Sequence, residues 1–144
     1  MKYCAIIGCI AVAALLLPDA VMAETHEVKM LNRGAGGAMV YEPDHLTIAL
    51  RDSVHFVPTQ KGHNAASIKE MLPEGATPFL GPLSKEETVR FDVAGRYGIK
   101  CTPHYAMGMV MVIDVGETVD PLPQTLPDTI PRRARERFEE ILSR

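Results

Sequence analysis

The chain has 144 residues, a formal net charge of −3, three cysteines and five histidines. Its length suits a single domain with a sizeable hydrophobic core, and no internal repeat suggests a second one. We expect no nucleic-acid partner, and no disulfide framework either, because Cys4 and Cys9 both lie in a leader-like beginning.

Residues 1–23 have the pattern of a cleaved secretory signal. Lys2 supplies a positive start, and residues 6–17 form an almost unbroken apolar run that is too short to span a bilayer comfortably. Modest side chains before a polar sequence place the expected cleavage after Ala23. A lipoprotein signal at Cys9 is disfavoured, because almost no apolar run precedes this cysteine. The pattern predicts a periplasmic protein with no membrane attachment after cleavage.

Cleavage would leave Cys101 as the one cysteine of the mature chain. The net charge would stay at −3, since Lys2 and Asp19 are removed together. An odd thiol in an oxidising compartment needs a reason to persist. On composition alone a buried, inert cysteine is the simplest explanation, and metal ligation would protect the thiol equally well.

Alternating apolar positions after His26 predict half-buried β-strands. The alternating sets are Val28 with Met30, Leu46 with Ile48 and Leu50, Val54 with Phe56, and Val89 with Phe91 and Val93. Turn signals separate them at short intervals, for example at 34–37, 51–53 and 58–62. Many short strands with frequent turns predict a mainly β fold, a Greek-key sandwich or barrel spanning residues 24–116.

Two segments have helical character. Residues 65–72 contain fair helix formers but end at Pro73, so they predict one or two helical turns within a loop. Residues 117–144 begin with a proline-rich segment at 121–127 and continue with an amphipathic helix from about Pro131. The expected apolar face of this helix comprises Ile130, Ala134, Phe138, Ile141 and Leu142. Its simplest role is to pack on the barrel.

A nine-residue loop between strand-like sequences contains Cys101, His104 and Met109. Structural zinc would need four strong Cys and His ligands, and covalent haem would need a Cys-x-x-Cys-His motif, which the chain lacks. A blue-copper site instead uses one thiolate, two imidazoles and a weak, long axial thioether. The loop supplies three of these four donors.

The second imidazole must come from elsewhere in the mature chain. The remaining histidines are His26, His45, His55 and His63. His26 lies near the terminus, while His45 and His55 lie at or within predicted strands and are expected to be surface or hydrogen-bonded core residues. His63 follows a strand and a breaker, so it can project toward the Cys101 loop and is the preferred ligand. The Asn64 amide could hydrogen-bond to the Cys101 segment and orient the ligands.

These motifs resemble those of the pseudoazurins, which are cupredoxins. The resemblance runs from about His26 to Gly116 and includes Met30-Leu31-Asn32, Gly37-Ala38-Met39-Val40, Lys61-Gly62-His63-Asn64 and the whole 101–109 loop. Plastocyanins share the loop spacing, but the helical tail and the Lys-Gly-His-Asn segment favour pseudoazurins. The resemblance implies a cupredoxin-like Greek-key sandwich or barrel with a C-terminal helical extension. It also implies one copper ion bound by His63 Nδ1, Cys101 Sγ, His104 Nδ1 and Met109 Sδ.

The expected site favours electron transfer over catalysis. Four protein ligands leave little room for a substrate on copper, whereas catalytic metal sites keep a position open. We therefore expect an electron carrier that cycles between Cu(I) and Cu(II), and not an enzyme. His104 is the expected exposed edge for electrons, and the resemblance places Met39 beside it, so that an apolar patch including Pro103 would permit brief docking.

A basic rim around this patch would attract acidic partners. Its expected members are Arg33, Lys61, Lys100 and Arg132 or Arg133. The resemblance implies a copper-containing nitrite reductase or another periplasmic reductase as partner, with cytochrome c as a candidate donor. The protein itself is expected to be a monomer.

Two other function classes use similar residues. A copper-trafficking protein would also offer soft ligands, and Met107 and Met111 lie near the loop. A cysteine hydrolase could pair Cys101 with a histidine base, but Pro103 and the accompanying methionine disfavour that role. The copper off-rate and the reversibility of the redox step would separate a carrier from a trafficking protein.

Overall fold

Two four-stranded sheets enclose the core in this computed structural model, which describes residues 22–117 and 126–144. The first sheet has the order β2-β1-β4-β6 and comprises β1 (Thr25–Gly34), β2 (Gly37–Glu42), β4 (Ser53–Pro58) and β6 (Glu87–Arg90). The second has the order β3-β8-β7-β5 and comprises β3 (His45–Ile48), β5 (Ala66–Ser67), β7 (Gly95–Lys100) and β8 (Val110–Val115). Helix α1 (Arg132–Leu142) packs against the second sheet.

Both sheets combine parallel and antiparallel pairs. β1 runs parallel to β4 and antiparallel to β2, and β4 is antiparallel to β6. In the second sheet β3 is parallel to β8, while β7 is antiparallel to both β8 and β5. Because β1 and β4 run in the same direction, the carboxyl end of β4 lies beside Met30 in the second half of β1. The Thr59 N–H, just after β4, donates to the Met30 carbonyl at 3.1 Å.

Strand β8 contributes to two hydrophobic clusters, which explains the burial of five of its six residues, while Asp114 is buried beside its partners Arg96 and His45. Met111, Ile113 and Val115 pack between the sheets, with Val28, Met30, Val54 and Phe56 of the first sheet among their cluster. Val110 and Val112 point to the opposite face and pack with Ala134, Phe138 and Ile141 of α1. The side-chain alternation of a strand thus joins the sandwich to the helix.

Most of the predicted fold is confirmed. The protein is mainly β with a C-terminal helix, and Ile130, Ala134, Phe138 and Ile141 are buried as expected. The strand prediction fails at Leu50, which lies in a turn after β3, since the chain reverses at Arg51 with a φ of 75°. It also fails at Phe91 and Val93, which follow the end of β6 at Arg90. Residues 65–72 form β5 and one 3₁₀ turn (Lys69–Met71), because β5 pairs with β7.

Two predicted segments fall largely beyond the described residues. These are the leader, of which the structure describes only Met22 and Ala23, and the prolines at 121 and 123. Within 22–117 and 126–144, no helix is both long enough and apolar enough to cross a bilayer.

Asp52 holds the beginning of β1 by hydrogen bonds. Its Oδ1 accepts the Glu24 N–H at 2.8 Å, and its Oδ2 accepts the Ala49 N–H at 3.0 Å and contacts His26 Nε2 at 2.8 Å. The backbone hydrogen bond from Glu24 and the contact with His26 lower the pKa of this buried carboxyl below its usual 3.8. The ionised carboxylate therefore stabilises the folded state.

We expect Asp52→Asn to lower the free energy of unfolding at pH 7 by about 1–3 kcal/mol, because the new NH₂ group would face N–H donors. A lowered folded pKa gives a stability contribution that is complete above the unfolded value and is lost as pH falls through the folded value. The gap between the variant and the wild type should therefore narrow only below about pH 3.8.

Urea unfolding between pH 7 and pH 2.5 measures this gap. Asp92→Asn is the matched control, since Asp92 is exposed and its one ion pair among the described residues is with the exposed Arg90, at 2.9 Å. Equal midpoints for the wild type and Asp52→Asn at pH 7 would contradict the proposed role of the carboxylate.

Candidate metal centre

The loop between β7 and β8 is closed at its base by the strand ladder. The Cys101 N–H donates to the Met109 carbonyl at 3.0 Å, directly after β7 and before β8. Within the loop, the His104 N–H donates to the Cys101 carbonyl at 3.2 Å, and the Met109 N–H donates to the His104 carbonyl at 3.2 Å. A 3₁₀ turn at Tyr105–Met107 ends at Gly108, whose φ of 89° favours glycine.

His63 reaches the same place from the first sheet. After β4 the chain turns at Gly62, whose N–H donates to Ser84 Oγ at 2.9 Å, and the Ser84 N–H donates to the His63 carbonyl at 2.8 Å. These two bonds fix the backbone on both sides of the imidazole. We call the end of the sandwich that carries His63 and the 101–109 loop the site end.

Three donor atoms converge at the site end. His63 Nδ1 lies 3.2 Å from His104 Nδ1, and Cys101 Sγ lies 3.8 Å and 3.5 Å from these two nitrogens. A trigonal metal with bonds of about 2.0 Å to nitrogen and 2.3 Å to sulfur separates its ligand atoms by about 3.5–3.7 Å. The spacing of the cluster therefore fits one metal ion bound by two imidazoles and a thiolate.

Met109 is the candidate for a second sulfur donor beside this cluster. Its side chain is fully buried and packs in the same core as Cys101, its hydrogen-bonded neighbour across the base of the loop. A thioether is a soft, weak ligand that suits copper and is unsuited to magnesium or calcium. The chemistry of the complete donor set, S₂N₂ with one thiolate, thus fits copper.

An asparagine from β1 orients His63. His63 Nε2 lies 2.8 Å from Asn32 Oδ1, an oxygen that can only accept a hydrogen bond. The proton of the imidazole is therefore on Nε2, and Nδ1 presents its lone pair to the cluster. Burial and the neighbouring His104 lower the pKa of His63, which keeps the imidazole neutral. No local pattern reveals this partner, because Asn32 lies on β1, 31 residues before His63.

Asn64 links the His63 segment to the Cys101 segment, the place proposed for it from the sequence. Its Oδ1 accepts the Thr102 N–H at 2.8 Å, while its Nδ2 donates to Thr102 Oγ1 at 3.2 Å and to the Gly81 carbonyl at 3.1 Å. Tyr41 donates its hydroxyl to the Asn64 carbonyl at 2.8 Å. The buried Asn64 amide therefore holds the His63 segment and the Cys101 segment at a fixed separation.

Burial keeps the Cys101 thiol protonated until a cation binds beside it. Burial raises the pKa of the Cys101 thiol, although the backbone N–H groups of Asn64 and His104 partly offset this effect. A buried thiolate therefore needs a positive charge beside it. A bound metal ion would supply this charge and displace the thiol proton.

The other three histidines are held away from the cluster by acidic partners. The contacts are His26 with Asp52 at 2.8 Å, His45 with Asp114 at 2.9 Å and His55 with Glu86 at 3.3 Å. In the part of the chain that the structure describes, the one group of three close metal-ligating side chains is His63, Cys101 and His104.

The residues expected on the electron-transfer surface lie in different environments. His104 is half-buried, and Pro103 beside it is exposed, whereas Met39 is half-buried against the core on β2. Arg33 and Lys61 are exposed, near the β1–β2 turn and just before His63. Lys100 is less free than expected, since its Nζ lies 4.9 Å above the centre of the Tyr105 ring, an attractive cation–π contact.

Comparisons with known proteins agree with this donor set. Residues 28–116 match the family of copper binding proteins described as plastocyanin/azurin. The chain is 43% identical over 133 residues to a pseudoazurin from Paracoccus pantotrophus, an alignment that covers 92% of each protein. It is 47% identical over 109 residues to a pseudoazurin from Methylorubrum extorquens, covering 76% of this chain and 72% of that protein.

The fold leads to the same family. The refined crystal structure of a pseudoazurin from Methylobacterium extorquens superposes with a TM-score of 0.76 at 38% identity, covering 83% of this chain and 97% of that one. The chain therefore belongs to the plastocyanin/azurin family of copper-binding proteins and, within it, to the pseudoazurins, which are copper electron carriers rather than enzymes.

Proposed function

We propose that this protein is a periplasmic carrier that delivers single electrons to a copper-containing nitrite reductase or a similar periplasmic reductase. Its one copper ion would be bound by His63, Cys101, His104 and Met109. The observation that carries the proposal is the separation of 3.2–3.8 Å among the donor atoms of the first three residues. Bound copper would supply the redox step by cycling between Cu(I) and Cu(II).

The surrounding residues favour a rigid site that small molecules cannot enter. His63, Cys101 and Met109 are fully buried, so their donor atoms are shielded from water. The amides of Asn32 and Asn64 hold the ligand segments by hydrogen bonds that need not change with the charge of the metal. A site of this kind suits transfer of an electron through space better than binding of a substrate.

His104 is the proposed route for the electron, because it is the one member of the three-residue donor cluster that reaches the surface. Pro103, Ala106 and Met107 beside it are exposed and mostly apolar. A flat apolar surface allows close approach and rapid release, as a carrier requires. Met111 is fully buried in the core, so it gives no support to an exchangeable copper-trafficking site.

The maturation of the chain is part of the proposal. We expect cleavage after Ala23, which would leave a copper domain at 24–116 and a C-terminal extension at 117–144. The position of β1 supports this boundary, because the strand begins at Thr25 and the Glu24 N–H is already hydrogen-bonded to Asp52. Met22 is exposed and precedes the first element of the fold.

Replacement of the thiol tests the central assignment. The copper-loaded wild type should show an intense visible thiolate-to-Cu(II) absorption band that disappears on reduction, and Cys101→Ser should lack it, because Cys101 is the free cysteine of the described fold. Circular dichroism would verify that the variant is folded. A visible band that survives in Cys101→Ser would show that the copper centre lies elsewhere.

The two ligand classes should differ in their effect on copper affinity. We expect Met109→Gln to retain copper but to shift the reduction potential and the spectrum, because an axial thioether tunes the site and contributes little to affinity. His63→Ala should weaken copper binding by about tenfold or more, whereas the control His55→Ala should leave it unchanged. Competition titration with a chelator measures the copper affinities. Equal losses of copper affinity in Met109→Gln and His63→Ala would contradict the distinction between a strong imidazole ligand and a weak axial thioether.

Charge reversal at the rim tests electrostatic steering. The double variant Lys61→Glu/Lys100→Glu should react more slowly with nitrite reductase, and its rate should depend less on salt, because exposed charges act over about 8–10 Å at ordinary ionic strength. Stopped-flow second-order rates against salt concentration measure the effect. Arg51→Glu/Arg90→Glu, which carries the same change of charge at the opposite end of the sandwich, is the control. Identical rates and salt slopes for wild type and rim variant would refute the steering.

A further inference from the structure

Three of the five large exposed apolar side chains of the described residues, Leu80, Leu83 and Met107, lie at the site end. Within the described ranges, the large hydrophobic residues that stay exposed are Met22, Leu50, Leu80, Leu83 and Met107. Leu80 and Leu83 are 72% and 54% exposed, and the exposed Pro82 lies between them. Scattered exposed leucines are ordinary, but an apolar group within four residues marks an interaction surface. We call Leu80, Pro82 and Leu83 the leucine patch.

The leucine patch is fixed to the backbone around His63. The Gly81 N–H donates to the Ala65 carbonyl at 2.8 Å, and the Gly81 carbonyl accepts from Asn64 Nδ2 at 3.1 Å. On its other side, Ser84 exchanges hydrogen bonds with Gly62 and His63. The exposed leucines are thus held by hydrogen bonds on both sides rather than carried on a free loop.

Gly81 allows this close attachment. A Cβ atom at this position would lie 2.9 Å from the Ala65 carbonyl oxygen and would also overlap the Glu87 carboxylate. Any side chain would therefore push the patch away from the His63 segment. The glycine lets the backbone approach closely while Leu80 and Leu83 remain at the surface.

The patch also adjoins the proposed route of the electron. Gly62 faces the His104 ring, since a Cβ atom built on it would lie 3.9 Å from His104 Cε1. Ser84, next to Leu83, is hydrogen-bonded to this same glycine. The leucine patch therefore lies on the Gly62 side of His104, while Met107 follows His104 in its own loop.

The charges around the patch indicate its partner. Lys61 and Lys85 are exposed and stand next to Gly62 and Ser84, the two residues joined at the edge of the patch. Neither lysine forms an ion pair with any residue that the structure describes, while Glu86 is occupied by His55 at 3.3 Å. An apolar surface bordered by acidic groups would complement this arrangement. A second copy of the chain would bring like charges together across a two-fold axis.

We propose that the leucine patch is a second apolar contact for the redox partner, an acidic-rimmed protein that covers the patch and the His104 surface together. The inference rests on the proposed function, because it requires a protein that accepts electrons through His104. Contact at two separate places fixes the orientation of the partner, so that fewer encounters are unproductive. The patch contributes burial of apolar area, whereas the lysines accelerate the encounter.

The test compares the double variant Leu80→Ser/Leu83→Ser with the wild type, with copper-containing nitrite reductase as the probe. The second-order electron-transfer rate should fall about fivefold or more, through weaker association, with an unchanged salt slope. Leu50→Ser is the matched control, since Leu50 is 45% exposed at the opposite end of the sandwich. Oxidation by hexacyanoferrate, a small ion that needs no apolar contact, should proceed at the same rate in all three proteins.

The outcomes separate this inference from the proposed function. A double variant as fast as the wild type would overturn the leucine patch and leave the carrier intact. A wild type that binds copper but does not react with nitrite reductase would overturn both the partner and the patch. Self-association of the wild type that the two substitutions abolish, measured by sedimentation velocity, would assign the patch to a second copy instead. If the double variant fails to fold, Leu80→Gln alone, at the more exposed position, carries the same comparison.

Discussion

The backbone hydrogen bond from Cys101 to Met109, 3.0 Å long, holds together both ends of the loop that contains three of the four proposed ligands. This bond continues the β7–β8 ladder by one step, so the loop inherits the rigidity of the sheet. β8 itself is fixed from both faces, by the core between the sheets and by α1. The metal centre is therefore built on the most completely buried strand of the fold.

The fourth ligand requires a link between the sheets. His63 follows β4 of the first sheet, while Cys101, His104 and Met109 lie in the loop between β7 and β8 of the second sheet. Asn32 on β1 fixes the ring of His63 by a hydrogen bond, and Asn64 is hydrogen-bonded across to Thr102 in the loop between β7 and β8. Two neutral amides thus position a charged metal without adding charge to a buried site, where each unpaired charge would be costly.

Sequence reasoning succeeds where the determining residues are close together in the chain. Cys101, His104 and Met109 can be found together because one loop holds them, and the buried face of α1 follows from helical spacing alone. It fails where tertiary pairing overrides local preference. Residues 65–72 contain fair helix formers, yet 66–67 become a strand because β7 offers them backbone partners.

Interactions between distant segments leave no local pattern. Asn32 orients His63 through a contact that the parallel β1–β4 pair creates between residues 31 positions apart. The exposure of Leu80 and Leu83 depends on Gly81 being drawn against Ala65. Each of these features needs the folded backbone, since spacing and composition carry no information about them.

The Glu24–Asp52 hydrogen bond would become stronger if the leader is cleaved. Its donor is a backbone nitrogen placed 2.8 Å from a buried carboxylate. If the chain is cut after Ala23, this nitrogen changes from a neutral peptide N–H to an ammonium group, and the hydrogen bond becomes charge-assisted, which is about twice as strong. Release of the leader would then tighten the end of the sandwich opposite the metal, so that the exported form gains a stabilising ion pair that its precursor lacks.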